Sequence, residues 1–277
     1  MSVAVKPVGP VTLTVQIGPR NASTDPKTGL RFYRWRGFDL PSVTSIRRMA
    51  GIPHSLHQWA IGKVIDRTLD EWSELGARLK SGDPAEVALI RHRLRAAATD
   101  ERDAAASLGT AVHDAAATGK ALTDVPAAVA PRLRQYLDWL ASSHAEILGA
   151  EFQVWNLTVG YAGTADLLCR FPDGSIWVVD LKTGKGLYAD HEQQLLGYLM
   201  AEFVGSDDVI DETLTAHLNA ATGMAVLHLA ADHWEFVSLQ ATPDDWTAFR
   251  GMLAYAMWAK SHPDVASVSL GSRKGQG

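Results

Sequence analysis

Hydrophobic spacing divides the chain into a largely helical first half and a second half of short apolar runs. VTLTVQI (11–17) and RFYRWRGF (31–38) read as strands, joined by a loop rich in Gly, Asn, Ser, Asp and Pro. Ser42 is placed as the N-cap of a short helix ending at Gly51. A long helical stretch follows Pro53, breaks at Ser81-Gly82-Asp83-Pro84 and resumes to about Gly119. A further helix is expected from about Pro126 to Leu148, with Val129, Leu133, Tyr136, Leu137 and Leu140 at helical spacing.

The texture then changes. EFQVWNLTV (151–159), YAGTADLLCRF (161–171) and SIWVVDLK (175–182) are strand-like, and Pro172-Asp173-Gly174 is a turn signal between the last two. A helix is expected from Tyr188 to Val204, then strands GMAVLHLA (223–230) and WEFVSL (234–239), then an amphipathic helix over 242–260. This order predicts an α/β core around a mixed central sheet, not a regular βαβ alternation. Residues 1–107 are expected to form an N-terminal hairpin and helical cap, 108–262 the core, and 263–277 a disordered tail. The helical stretch 55–118 is too long for a simple connection, which suggests an arch.

Composition changes the picture in two places. The chain of 277 residues is 47% hydrophobic and 21% charged, ordinary for a globular protein. No apolar run approaches the roughly 18 residues of a membrane span, and MSVAVKPVGP has no signal-peptide core, so a cytoplasmic protein without a membrane partner is expected. Cys169 is the single cysteine. That excludes an internal disulfide and a four-cysteine iron–sulfur cluster within one chain. The net charge of −5 conceals an asymmetry: eight Lys/Arg against two Asp in residues 1–48, and twelve Asp/Glu against two basic residues in 186–265. An acidic chain of this kind can still offer a basic face to phosphate.

The candidate chemistry centres on IWVVDLK. Alternation puts Ile176, Val178, Asp180 and Lys182 on one strand face, so a carboxylate and an ammonium emerge together at its end. One hairpin back, Asp166 sits in GTADLL, and pairing through the turn brings it toward Asp180. Converging carboxylates make a hard oxygen site suited to Mg²⁺ or Mn²⁺. Such a site can polarise a phosphate and acidify a bound water, and Lys182 can orient that water or offset developing charge. A strand-end salt bridge is the plainer alternative. Asp25-Pro26-Lys27 has the same tripeptide form but lies in a turn.

Other residues extend the set. LGTAVHDAAATG (108–119) carries His113 on a helix of small residues that can approach the sheet closely. Gln194 and Tyr198 lie four apart on one helical face. Glu151 opens the first core strand. Read singly, each has a structural explanation: a core histidine, a surface Gln beside a core Tyr, a solvated Glu. On 31–36, Arg31, Tyr33 and Trp35 share one face while Phe32, Arg34 and Arg36 share the other. Arg34 and Arg36 are candidate phosphate contacts, and a hairpin packed on the core is the equal alternative. Trp59 and Trp72 in the cap are candidate base-stacking residues, with packing on the sheet as the alternative.

Taken in order, Gly109-Thr110-x-x-His113, Glu151, Gly163-x-x-Asp166, Asp180-x-Lys182-Thr-Gly and Gln194-x-x-x-Tyr198 resemble the RecB-like branch of the PD-(D/E)xK nucleases. The resemblance runs over 108–203. LPSVTSI (40–46) and the helix with Trp59 resemble stand-alone, phage-encoded members. The resemblance implies a restriction-endonuclease-like core and implies that His113, Asp166, Asp180 and the Leu181 carbonyl bind metal, with Glu151 as a fourth acidic candidate. It also implies that Lys182 is the catalytic lysine and that Gln194 and Tyr198 steady the substrate or the site. The expected activity is Mg²⁺- or Mn²⁺-dependent DNA hydrolysis, as an exonuclease on single-stranded DNA or a duplex end, in recombination, repair or phage DNA processing. A recombination protein is the expected protein partner. The four cysteines that hold an iron–sulfur cluster in many relatives are missing here.

Other classes fit less well. A P-loop around Thr183-Gly184-Lys185 would need Gly at 179 and Ser or Thr at 186, where Val179 and Gly186 stand. Neither H-E-x-x-H nor C-x-x-C is present, against zinc hydrolases and deaminases of those types. A non-catalytic nucleic-acid-binding protein on the same fold, a structure-specific endonuclease and an RNA nuclease remain as alternatives.

Overall fold

Two runs of buried apolar residues, one on each face of a central sheet, set the architecture of the computed structural model. It describes residues 22–262 apart from 52, 53, 81, 185 and 189. In chain order the elements are β1 (Ala22–Thr24), β2 (Arg31–Trp35), β3 (Phe38–Pro41), α1 (Val43–Arg47), α2 (His54–Asp70), α3 (Trp72–Leu79) and α4 (Pro84–Thr118). Then come α5 (Ala130–Ser143), β4 (Glu146–Asn156), β5 (Tyr161–Arg170), β6 (Ile176–Lys182) and α6 (Asp190–Leu199). The chain continues through β7 (Phe203–Ser206), β8 (Val209–Ile210), α7 (Glu212–Asn219), β9 (Gly223–Leu229), β10 (Trp234–Leu239) and α8 (Pro243–Ser261). The expected strand 11–17 and tail 263–277 lie outside the described residues.

The sheet has seven strands in the order β10-β9-β6-β5-β4-β7-β8. It is mixed, as expected: β6 and β9 are parallel and the other neighbours antiparallel. On one face Phe152, Val154, Leu168, Val178 and Val226 pack with residues of α1, α6, α7 and α8. On the other, Ala150, Leu167, Val179, Leu181 and Leu227 meet the end of α4 and α5. Burial of side chains such as Leu181 and Leu227 stabilises by roughly 1.5–3 kcal/mol each before entropy is counted.

α4 begins and ends where the sequence signals place it. Asp83 caps it through the Ala85 N–H, Pro84 takes its first turn, and Gly119 closes it with φ 63°. Its 35 residues span roughly 50 Å at 1.5 Å per residue. α2 and α3 fold back on its first half through ion pairs: Lys63–Glu101 at 2.9 Å, Arg67–Asp100 at 3.1 Å and Arg93–Glu71 at 3.1 Å. Trp72 is exposed and Trp59 half-buried. The expected boundary at 107 falls inside α4. The β2–β3 hairpin, grouped with the cap in the sequence reading, packs instead on the core: Tyr33 and Trp35 lie against Trp155 and Ala162.

Two expected helices are shorter than their spacing suggests. The helix expected to reach Leu148 stops at Ser143, because His144 turns left-handed (φ 53°) and Glu146–Leu148 enter β4. The helix expected over 188–204 is α6, followed by the short strand β7, which pairs with β4 through Val154 and Val204.

Candidate active site

The sheet's central hairpin brings the two motif carboxylates together. Leu167 pairs with Val179 and Leu168 with Val178, so Asp166 and Asp180 meet at the next step of the ladder. Asp166 reaches across to accept the Leu181 N–H at 2.7 Å. Lys182 turns back to form an ion pair with Asp180. Its Nζ also lies 3.5 Å from the Leu181 carbonyl oxygen.

Asp180 is not at a solvent-facing strand end, as its position in IWVVDLK implies. It is fully buried, because α6 lies over it. Gln194 donates from Nε2 to Asp180 Oδ1 at 3.0 Å and to the Tyr198 hydroxyl at 2.9 Å. Both Gln194 and Tyr198 are therefore buried beside the motif, which rules out a surface Gln. Gly163 makes this fit possible: a Cβ there would lie 2.7 Å from Tyr198 Cε1.

From the opposite face, α4 brings His113. Its small residues permit the approach; a Cβ on Gly109 would sit 3.3 Å from Thr183 Oγ1. His113 Nε2 lies 2.9 Å from the Leu181 carbonyl oxygen. Nδ1 faces Glu151 Oε1 at 3.4 Å and Asp166 Oδ1 at 3.5 Å. Glu151 lies within β4 and does not open it, and its backbone is left-handed with φ 49°. Such a conformation in a non-glycine strand residue is strained, and it accompanies a carboxylate directed at His113.

The charges are mutually dependent. Burial opposes a positive His113, but Asp166 and Glu151 outweigh it and hold the imidazole well above its usual pKa range. Burial opposes an ionised Asp166, yet His113, Lys182 and the Leu181 N–H bring it below the usual carboxylate range. Asp180 is raised by burial against the attraction of Lys182, and Glu151 is raised by burial against His113.

The donor set fits a divalent metal. Ligating atoms of His113, Glu151 and Asp166 lie within 4.8 Å of one another, two hard oxygens and one imidazole. The Leu181 carbonyl faces the same imidazole. Asp180 stands outside that trio, with Oδ1 held by Gln194 and Oδ2 by Lys182.

A cavity of about 350 Å³ opens beside the trio. Arg31, Tyr33, Thr44, Thr110 and Thr164 line it together with His113 and Asp166. Arg31, Tyr33, Thr44 and Thr164 were not singled out as site residues by spacing alone; the mixed cation–aromatic face of β2 was the available signal. Arg34 and Arg36 do not line the cavity. Arg34 pairs with Asp39 at 2.9 Å on the exposed side of the hairpin. Arg36 occupies the β2–β3 turn with φ 44°, where its N–H donates to Asp208.

A mixed sheet here brings paired carboxylates, a lysine and an opposing histidine together, a donor set that could hold a divalent metal. The chain belongs to the PD-(D/E)XK nuclease superfamily, whose family model matches residues 29–260. Members of that superfamily use divalent metals. Comparison with curated proteins gave no match. Among solved structures, the chain is similar to one described as the crystal structure of SSO0001, at 18% identity and a TM-score of 0.29. That likeness covers 46% of this chain and 56% of the other. No helix among the described residues is long and apolar enough to cross a membrane.

Proposed function

We propose that the protein is a RecB-like DNA exonuclease that hydrolyses phosphodiester bonds with Mg²⁺ or Mn²⁺. The observation that carries this reading is the trio His113, Glu151 and Asp166 lining one cavity, with the Asp180–Lys182 pair on the neighbouring strand β6. His113, Asp166, Asp180 and the Leu181 carbonyl are assigned to the metal, with Glu151 as a further ligand. A divalent ion held there supplies Lewis-acid polarisation of the phosphate and a more acidic water.

The protein's own groups do the rest. Lys182, anchored by Asp180, offers an ammonium that orients the attacking water and offsets charge growing on the phosphate oxygens. Gln194 and Tyr198 are positioning residues, because they fix Asp180 from behind. Arg31 is the phosphate contact on the cavity wall. Arg34 and Arg36, on the outer hairpin, are assigned to longer stretches of backbone.

Lining of the cavity by residues of β2, α1, α4, β5 and α6 supports a strand that enters by its end. The α2–α4 cap, on the flank of His113, is assigned to guiding that strand, with exposed Trp72 available to a base. Recombination, repair or phage DNA processing is the setting we assign, in the cytoplasm and with a recombination protein as partner. The test compares linear with covalently closed circular single-stranded DNA in Mn²⁺. Loss of the linear form alone supports end entry; rapid loss of the circle refutes it.

A further inference from the structure

We propose a second metal site on the β9–β10 hairpin, formed by His228, His233 and Glu235 and suited to a borderline transition ion of the Zn²⁺ class. It does not depend on the nuclease reading. Residues 228 and 235 face each other across the hairpin, and His233 leaves its turn. The ligating atoms of all three lie within 4.8 Å of one another. His228 Nδ1 is 3.6 Å from Glu235 Oε2, and His233 Nε2 is 3.9 Å from Glu235 Oε1. Tetrahedral zinc, with bonds of about 2.0–2.2 Å, separates its ligands by about 3.3 Å, so shifts of well under 1 Å bring these pairs to that spacing.

The hydrogen bonds around the two imidazoles select the nitrogens that would ligate. His228 is 8% exposed, and its Nδ1 is buried without a hydrogen-bond partner. Its Nε2 lies 2.7 Å from the Gly184 carbonyl oxygen, which can only accept. The ring must therefore carry a proton on Nε2, and in the neutral tautomer this leaves a lone pair on Nδ1, directed toward Glu235. His233 Nδ1 lies 2.9 Å from Asp232 Oδ1, so Nδ1–H donates to that carboxylate and Nε2 keeps its lone pair for an ion. A ring nitrogen donated to a carbonyl or carboxylate, with the other left for the ion, is the usual partner pattern of metal-bound histidine. A buried polar atom without a partner is otherwise costly, and an ion would remove that cost.

The site has a mechanical consequence. His228 is the register partner of Lys182 on the parallel neighbour strand, and Gly184 lies two residues beyond that lysine. An ion on His228 would tie the hairpin to the segment that leaves the catalytic strand. Two nitrogens and a carboxylate from a partly exposed hairpin leave remaining coordination positions to water. The ligand softness disfavours Mg²⁺, which prefers all-oxygen surroundings.

Calorimetric titration of the untagged chain with ZnCl₂ tests the proposal. The variant His113→Ala silences the other metal cluster and should still bind one equivalent. Adding His233→Ala or Glu235→Gln should weaken that binding at least 100-fold, and Asp232→Asn should weaken it by roughly 10–100-fold through lost orientation. His233 and Glu235 are half-exposed, so circular dichroism should report an unchanged fold. If His113→Ala does not fold, wild type must bind one equivalent more than His233→Ala. Equal binding with and without His233, or no binding by folded His113→Ala, overturns the site.

Discussion

Asp166 on β5 accepts the backbone N–H of Leu181 on β6 at 2.7 Å, so one motif carboxylate holds the strand end that carries the other. An asparagine can still accept that N–H but contributes no charge to the cluster. Asp166→Asn should therefore remain folded, need far more Mn²⁺ and lose at least about 100-fold in hydrolysis. Turnover measured across a Mn²⁺ series checks this. Wild-type turnover at ordinary Mn²⁺ would remove Asp166 from the centre.

Gly163 and Tyr198 are matched in shape. Gly163→Ala places a methyl 2.7 Å from the buried Tyr198 ring, and Tyr198 supports Gln194 on Asp180. The expected cost is about 1–3 kcal/mol of stability, with reduced turnover as the ring shifts. Denaturant unfolding gives the first quantity and a DNA hydrolysis assay the second. A variant as stable and active as wild type would show that the ring moves aside freely.

The two faces of β2 should behave differently toward DNA. Arg31 lines the cavity, whereas Arg34 is held by Asp39 on the outside. Loss of a phosphate-bound Arg lowers the log–log salt slope of binding by about one. Arg31→Ala should show that change in fluorescence anisotropy titrations of catalytically silent protein. Arg34→Ala and Arg36→Ala should each change the slope less; the reverse order would move the phosphate path to the outer hairpin.

His191 gives a pH dependence separate from the metal cluster. Burial, with Lys182 and Arg47 nearby, pushes its pKa down to about 4. Its Nδ1 also accepts the Tyr188 N–H, which requires the neutral ring. The unfolded chain takes up this proton near pH 6.5, before the folded chain does. Stability from this group is complete above that value and falls as pH drops toward 4. His191→Gln should lose less stability than wild type between pH 7.5 and pH 5 in denaturant unfolding. Equal losses would show that His191 is not the group responsible.

The central strands and α4 were legible because their signals are local. Apolar alternation ends at Asp180 and Lys182, and Asp83-Pro84 and Gly119 bracket α4. The short strands β7 and β8 were hidden in a helix-compatible run, and their Asp207-Asp208 turn takes positive φ at both residues without a glycine to announce it. The start of β4 was equally ambiguous, since Glu146-Ile147-Leu148 suits either period. At the site, residue types and spacing indicated Asp166, Asp180 and Lys182, and the family resemblance added His113, Gln194 and Tyr198. Burial of Asp180 was not legible, because it depends on how α6 crosses the sheet. The turn of Glu151 toward His113 depends on a left-handed residue that no sequence rule predicts. That Arg31 and not Arg34 lines the cavity follows from which face of β2 meets the core.

In the proposed assignment Lys182 supplies an ammonium paired with Asp180 and is not itself a metal ligand, so its removal tests the chemistry. The most direct measurement follows end-labelled linear DNA with wild type and Lys182→Ala, each with Mn²⁺ and with a chelator. The account predicts shortening by wild type only when metal is present, and at least about 100-fold slower shortening by folded Lys182→Ala under the same conditions. Metal-independent cleavage by wild type, or comparable rates for the two proteins, would contradict it.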